Sequence, residues 1–146
     1  CLANRSSGAQ LSIFYSSNNL ISGTIPAGFV CDPNNPDGAS QNMLYFGVDS
    51  NRLSGTLPSD ECFERRTSSS RVRPLNHFST SDNIVSGHVP SSLFNLGSFN
   101  YDGVLVLARC RLSGTIPADL EQVTRTKLKI VDLSQNDLSG NIPDLT

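Results

Sequence analysis

A six-residue motif that recurs five times constrains the fold of this 146-residue chain more than any other feature. The motif reads apolar-Ser-Gly-x-apolar-Pro, and its copies lie at Ile21–Pro26, Leu53–Pro58, Val85–Pro90, Leu112–Pro117 and Leu138–Pro143. Successive motif glycines are separated by 32, 32, 27 and 26 residues. Self-similarity at such spacings is typical of a solenoid, in which each repeat buries its apolar face only against its neighbours.

The residues before each motif also align, and together they give the template LxxLxLxxNxLSGxIP, in which L is any apolar residue. The alternating LxL predicts a short strand whose inward side chains stack from repeat to repeat. The Asn position holds Asn19, Asn51, Asn83, Cys110 and Asn136. We expect the Asn amides to bond the backbone of a bend and to form a ladder along the coils.

Four residues depart from this template. Cys110 replaces Asn in the fourth repeat, where we expect a buried thiol. Asp102 stands at an apolar position, and we expect Tyr101 to fill the core there instead. Ser16 and Thr80 are smaller polar departures at another inward position.

The sequences LSGTIP and LSGTLP, each following LxxLxLxxN, resemble the plant-type subfamily of leucine-rich repeats. That subfamily includes receptor-kinase ectodomains, polygalacturonase-inhibitor proteins and some protist surface antigens. The resemblance implies an α/β solenoid of mostly strand and loop with little helix: a right-handed coil with a parallel β-sheet on one face. Residues 1–10 would then be an N-terminal segment, and residues 11–146 one domain of five repeats that start near residues 11, 43, 75, 102 and 128. Because no cysteine-rich cap is visible, we expect this domain to be part of a longer array.

The first two repeats exceed the usual period of about 24 residues by about eight residues each. The excess follows Pro26 and Pro58 and is rich in Pro, Asn, Asp, Ser and Arg, so it predicts convex loops rather than helices. Short helical turns are expected instead at Ser91–Leu96 and Ala118–Val123. The second excess also carries Arg65, Arg66, Arg71 and Arg73, which indicate either an anion-binding cluster or a solvated loop.

Cys31 and Cys62 lie eight and seven residues after the motif glycines of adjacent repeats. Stacked coils bring equivalent Cα atoms to about 5 Å, which is within disulfide range. We therefore predict a Cys31–Cys62 disulfide, with two reduced loop cysteines as the alternative, and leave Cys1 unassigned. The disulfide would indicate an extracellular or cell-surface protein. Asn4 begins the one N-glycosylation sequon.

Composition and spacing argue against several functions. With 11 basic and 13 acidic residues the net charge is −2, which excludes a strongly basic nucleic-acid binder. No apolar run reaches the roughly 18 residues needed to span a membrane. The cysteines and histidines lack metal-ligand spacing, and the glycines form no nucleotide-binding loop, so no cofactor is expected.

Catalysis is also a weak interpretation. His77, Ser79, Ser81 and Asp82 are close in sequence. Alternating residues of one strand lie side by side, however, and imply neither a pocket nor an oxyanion hole. We predict that the chain is not an enzyme.

The solvent-facing strand positions form three columns across the predicted sheet. These are Ile13, Tyr45, His77, Val104 and Ile130; Tyr15, Gly47, Ser79, Val106 and Asp132; and Ser17, Asp49, Ser81, Ala108 and Ser134. An apolar and aromatic stripe beside small polar groups is typical of a partner site, although β-propensity alone also favours such residues in strands. The predicted partner-binding residues are Ile13, Tyr15, Tyr45, Asp49, His77, Val104, Val106, Ile130 and Asp132.

The favoured function is non-catalytic extracellular recognition of a protein, peptide or carbohydrate through the strand face. The alternative is a structural or scaffolding component of a coat, matrix or filament, in which neighbouring copies assemble through uncapped ends and convex loops. Ice binding through the threonines of the motif is a third interpretation. His88 and Asn141 interrupt that threonine column, which argues against it.

Overall fold

A computed structural model describes residues 11–30, 43–63, 75–94, 103–118, 120 and 128–144. In chain order its elements are β1 (Ile13–Tyr15), β2 (Ser22–Thr24), α1 (Ala27–Val30), β3 (Tyr45–Gly47), β4 (Arg52–Ser54), β5 (His77–Ser79), β6 (Ser86–Gly87), a 3₁₀ turn (Ser91–Leu93), β7 (Gly103–Val106), β8 (Arg111–Thr115), β9 (Leu128–Asp132) and β10 (Asp137–Ser139).

The strands stack into parallel sheets, with one strand from each repeat in the larger sheet. That sheet has the order β1-β3-β5-β7-β9. Its register aligns Ile13 with Tyr45, Tyr45 with His77, His77 with Val104 and Val104 with Ile130. The motif residues form a second strand layer, in which β2 pairs with β4, β6 with β8 and β8 with β10. The predicted solenoid with a parallel sheet on one face is confirmed.

The core consists of inward side chains that stack from coil to coil. The ring centroids of Phe14 and Phe46 are 5.9 Å apart, and those of Phe46 and Phe78 are 5.4 Å apart. Leu105 and Val131 continue this row in the fourth and fifth repeats. The inward stacking predicted from the LxL pattern is therefore confirmed.

The Asn position forms the predicted ladder, in which the amides of Asn51, Asn83 and Asn136 each join two coils. The Nδ2 of Asn51 donates to the Val48 carbonyl of its own coil at 3.0 Å and to the Ser16 carbonyl of the preceding coil at 2.8 Å. Its Oδ1 accepts the Ile21 N–H at 3.0 Å. The residue before each Asn position has a positive φ: Asn18, Ser50, Asp82, Arg109 and Gln135. The amides thus satisfy backbone groups at a left-handed bend.

Cys110 is a buried free thiol at this position, as predicted. Its Sγ lies 3.3 Å from the Thr80 carbonyl oxygen. Asn83 and Asn136 supply an Oδ1 to the N–H groups of Leu53 and Leu112, at 2.9 and 3.1 Å. Cys110 has no oxygen to offer the equivalent Val85 N–H, so the ladder lacks one acceptor in the fourth repeat.

The Ser-Gly pair of the motif forms a further ladder. The Ser54 hydroxyl donates to the Gly23 carbonyl of the preceding coil at 3.3 Å. Gly55 has a φ of +81°, and a Cβ there would lie 2.9 Å from the Cγ2 of Thr24. Both the backbone conformation and the neighbouring coil therefore require glycine at this position.

The prediction of loops rather than helices after Pro26 and Pro58 is wrong where each stretch begins. Helix α1 occupies Ala27–Val30, and residues 60–63 are also helical. Phe63 explains the second turn, because it is fully buried and packs edge-to-face on Phe78 at 5.8 Å. The polar composition around Phe63 led to the prediction of a loop, although Phe63 is an apolar core residue. Proline also favours the start of a helical turn after it.

The turns expected in later repeats are partly observed. The 3₁₀ turn at Ser91–Leu93 lies within the stretch predicted to be helical. A residue of the preceding coil caps this turn: the Asp60 carboxylate accepts the Ser92 N–H at 2.9 Å and the Ser92 hydroxyl at 2.8 Å. Residues 118 and 120 have 3₁₀ conformation, and residues 121–123 are outside the described part of the chain.

Ser16 and Thr80 point inward, and their hydroxyls have no hydrogen-bond partner among the described residues. Cys62 is disulfide-bonded. The predicted partner Cys31 lies outside the described residues, so the Cys31–Cys62 pairing stays a prediction. Other predicted features outside the described residues are Asn4, Tyr101, Asp102 and the cluster Arg65, Arg66, Arg71 and Arg73.

Candidate functional site

The larger sheet places the three predicted columns on one surface, here called the strand face. The prediction that all of these positions face solvent is wrong at its centre, because the neighbouring strands bury Gly47, Ser79, Ser81 and Ala108. Ile13 and Ile130, at its two edges, are 51% and 52% exposed. Tyr45, His77 and Val104, between them, are half-buried against their neighbours. The sheet therefore brings the first predicted column together in register and leaves its two ends most open to solvent.

Tyr15 lies across the neighbouring strand, over Gly47. A Cβ on Gly47 would be 2.6 Å from the Cδ1 and 2.9 Å from the Cε1 of the Tyr15 ring. The ring reaches the strand beyond, where it meets His77 edge-to-face with centroids 5.8 Å apart. Tyr15 is still 57% exposed. Gly47 therefore makes this ring position possible, a role that the sequence signalled only by placing a glycine next to Tyr15 in the second predicted column.

Asp49 is held rigidly beside this aromatic group. Its Oδ1 accepts the Ser79 hydroxyl and, at 2.7 Å, the Ser81 N–H. Its Oδ2 accepts the Ser17 hydroxyl at 3.3 Å. No basic side chain of the described residues forms an ion pair with Asp49. The strand face therefore carries an oriented carboxylate without a cationic partner in that part of the chain.

Burial and charge set the protonation of the aromatic residues beside it. Burial raises the pKa of Tyr15, and the neighbouring Tyr45 and Asp49 raise it further. Burial lowers the pKa of His77 and outweighs the opposite effect of the Asp49 carboxylate. Tyr15 and His77 are therefore neutral at pH 7, and Asp49 supplies the charge at this end of the face.

The far end of the face is apolar with a polar margin. Val104 and Val106 are half-buried on β7, and Ile130 is exposed on β9. Asp132 accepts bonds from the Ser134 hydroxyl and N–H, which lower the pKa of its carboxyl. Each predicted site residue therefore lies on the strand face or its margin.

An ion pair beyond the strands was not predicted. The Nε and Nη2 of Arg109 donate to the two carboxylate oxygens of Asp82 at 2.5 and 2.7 Å. This bidentate pair holds the pKa of Asp82 below its usual range. The sequence feature that could have indicated this ion pair is that both residues directly precede the Asn position in adjacent repeats.

The serines near His77 have structural bonds. Ser79 donates to Asp49, and the Ser81 hydroxyl accepts the Ala108 N–H at 3.0 Å. Among the described residues no three His, Cys, Asp or Glu side chains are grouped to hold a metal ion. In the same residues no helix combines the length and the apolar character needed to cross a bilayer.

Comparisons with known proteins agree with this geometry. A family model for Leucine Rich Repeat matches residues 127–146. The crystal structure of a TDR receptor superposes with a TM-score of 0.70 and 28% identity, covering 91% of this chain and 19% of the receptor. In sequence motif and in fold the coils match leucine-rich repeats.

Two further structures with similar leucine-rich repeats come from Arabidopsis. The receptor kinase HAESA, in complex with the peptide hormone IDA and the co-receptor SERK1, gives a TM-score of 0.68 and 28% identity over 91% of this chain and 19% of that one. The BIR2 ectodomain of Arabidopsis thaliana gives 0.60 and 30%, over 84% and 53%. This chain thus spans only part of each of these proteins. No curated protein sequence matches it.

Proposed function

We propose that this chain is an extracellular, non-catalytic recognition module that binds a peptide segment of its partner through the strand face. The observation that carries the proposal is the exposed Tyr15 ring, held over Gly47 and against His77 on the larger sheet. Aromatic side chains with fixed orientation dominate the energetics of many interfaces. Here the fixed positions would also reduce the entropy lost on binding.

The similar structures support a peptide over the other partner classes. They include HAESA with a peptide hormone, and the plant peptide hormone receptor RGFR1 in complex with RGF2. The RGFR1 structure is 26% identical over 91% of this chain, at a TM-score of 0.58. An extracellular location agrees with the ectodomains among the similar structures and with the disulfide at Cys62.

A display experiment tests this proposal. A random peptide library is panned on the immobilised protein, and the affinity of enriched peptides is measured by calorimetry for the wild type and for Tyr45→Ala/His77→Ala. We expect the double variant to lose at least tenfold in affinity, because it removes two aromatic contacts from the centre of the face. Circular dichroism verifies that the variant remains folded.

The matched control is Arg111→Ala, which truncates an exposed side chain of the second strand layer and leaves the strand face intact. Its affinity should equal that of the wild type. Peptides that bind the folded double variant as tightly as the wild type would refute a site on the strand face. An increase in native mass with protein concentration, without peptide binding, would favour the scaffolding alternative.

A further inference from the structure

The two ends of the strand face differ in chemical character. Asp82 forms an ion pair with Arg109, which also acts electrostatically on Asp132 and less on Asp49. Neither Asp49 nor Asp132 forms an ion pair of its own with a basic side chain of the described residues. Asp49 lies at the aromatic end, and Val104 and Val106 line the apolar end on β7. A ligand complementary to both ends needs a positive charge at one and an apolar group at the other.

The aromatic end suits a cation in two respects. The Tyr15 ring is more than half exposed, and its neutral phenol provides the electron-rich face that attracts ammonium and guanidinium groups. Asp49 follows Gly47, on which the Tyr15 ring lies, by two residues, and its Oδ2 accepts the hydroxyl of Ser17, two residues after Tyr15, so the carboxylate lies beside the same ring. A carboxylate next to an aromatic face binds an Arg or Lys side chain by charge and by cation–π attraction together.

The spacing of the two ends defines the length of the ligand. Gly47 is the last residue of β3 and Asp49 follows it by two residues. Val104 and Val106 belong to β7, which lies two strands away from β3 in the sheet. At about 4.8 Å between strands the separation is about 10 Å. An extended peptide that crosses the strands rises about 3.3 Å per residue, so it covers this distance in about three residues.

We propose that the strand face binds an extended peptide segment with an Arg or Lys side chain against Tyr15 and Asp49, and an apolar side chain about three residues away on Val104 and Val106. This inference rests on the proposed function and adds the chemistry of the partner. The occupant is a basic-apolar peptide segment, because the Tyr15 ring and the Asp49 carboxylate together suit a cation at one end, whereas Val104 and Val106 offer aliphatic surface at the other, with Asp132 at its margin.

The probe is a positional-scanning library of octapeptides with acetylated N-termini and amidated C-termini, read by fluorescence polarisation. We expect a preference for Arg or Lys at one position and for aliphatic residues about three positions away. In the best peptide, replacing Arg by the neutral isostere citrulline should weaken binding about tenfold.

Asp49→Asn isolates the charge. The Asn Oδ1 can still accept the Ser81 N–H, and the Nδ2 can donate to the Ser17 hydroxyl, so the local bonds survive. The variant should bind the arginine peptide more weakly and reduce its tenfold advantage over the citrulline peptide, because the carboxylate contributes to that advantage together with the Tyr15 ring. Asp137→Asn, an equal change of charge on the second strand layer, should retain that difference.

Substitutions of Tyr15 give an independent test. Tyr15→Phe keeps the aromatic face and should retain the difference between the arginine and citrulline peptides, whereas Tyr15→Leu should reduce it. The inference is overturned if the library shows no basic preference, or if Asp49→Asn leaves that preference undiminished. In either case the proposed function still stands when binding is lost in Tyr45→Ala/His77→Ala. Peptides indifferent to that double variant would overturn both.

Discussion

Replacing Thr80 by valine should stabilise the protein. Thr80 occupies an inward position of the third repeat and is fully buried, and among the described residues its Oγ1 has no hydrogen-bond partner stronger than a weak contact with the Cys110 thiol. The same position in the other repeats holds Ser16, Val48, Leu107 and Leu133. Val48 is buried, so the coil geometry already accommodates valine at this place.

The magnitude follows from the cost of the unpaired hydroxyl. A buried hydroxyl without a hydrogen bond destabilises the folded state by about 1–3 kcal/mol. Valine has nearly the shape of threonine, and its additional methyl gains burial of up to about 0.8 kcal/mol. Tight packing around a fully buried side chain offsets part of this gain. We expect the free energy of unfolding to rise by about 1–2 kcal/mol.

Guanidinium denaturation followed by far-UV circular dichroism measures this change. The midpoint should rise while the slope m stays constant, which identifies a change in stability rather than in the unfolded state. The melting temperature should rise by about 3–8 °C for a chain of this size. Thr56→Val is the matched control, because its hydroxyl is exposed, and it should change the stability by less than about 0.5 kcal/mol.

A Thr80→Val variant that is no more stable than the wild type would refute the reasoning, provided that Thr56→Val behaves as expected. It would mean that the Thr80 hydroxyl has a partner in solution, such as a buried water molecule. A lower midpoint would mean that the packing at this site cannot accept the second methyl group.

Three further perturbations follow from the structure. Cys110→Asn should restore the missing acceptor of the Asn ladder and raise the free energy of unfolding by about 0.5–1.5 kcal/mol in the same assay. A lower free energy of unfolding would show that the site is too small for the amide. The pKa of His77 is lowered in the folded state, so the unfolded chain binds a proton at this residue more readily. The free energy of unfolding should therefore fall as the pH drops from about 6.5 to below the folded pKa. His77→Gln should reduce this pH dependence, which denaturation at a series of pH values measures. Gly47→Ala should displace the Tyr15 ring and weaken peptide binding at least tenfold. Gly28→Ala is the control, because no atom lies within 4 Å of its new Cβ, and it should not weaken binding. Unchanged His77 ring resonances in NMR spectra of the Gly47 variant would contradict the displacement.

The repeat pattern correctly predicted which side chains face inward and stack between coils. Phe14, Phe46 and Phe78 occupy equivalent template positions and stack as expected. Cys110 was predicted as a buried thiol from its place in the Asn column, and the structure confirms it. These predictions succeed because equivalent residues of a solenoid must lie in register, so one alignment of repeats specifies many contacts at once.

Predictions outside the template were less successful. The stretch after Pro58 has loop-like composition, yet residues 60–63 are helical because Cys62 and Phe63 return to the core. The ion pair between Asp82 and Arg109 was missed, since its partners are surface residues at a bend. Local composition does not reveal an apolar anchor that packs on another coil.

The sequence by itself determined the solenoid, its strand positions, its Asn ladder and the columns of its exposed face, because a repeated period brings equivalent residues to equivalent places. Only the tertiary structure decided how the exposed residues meet. Tyr15 reaches His77, 62 residues later in the chain, by lying across Gly47 on the strand between them. Asp49 is oriented by hydroxyls from the coils on both sides. Such contacts depend on side-chain directions across three strands, and these directions arise only once the coils are stacked.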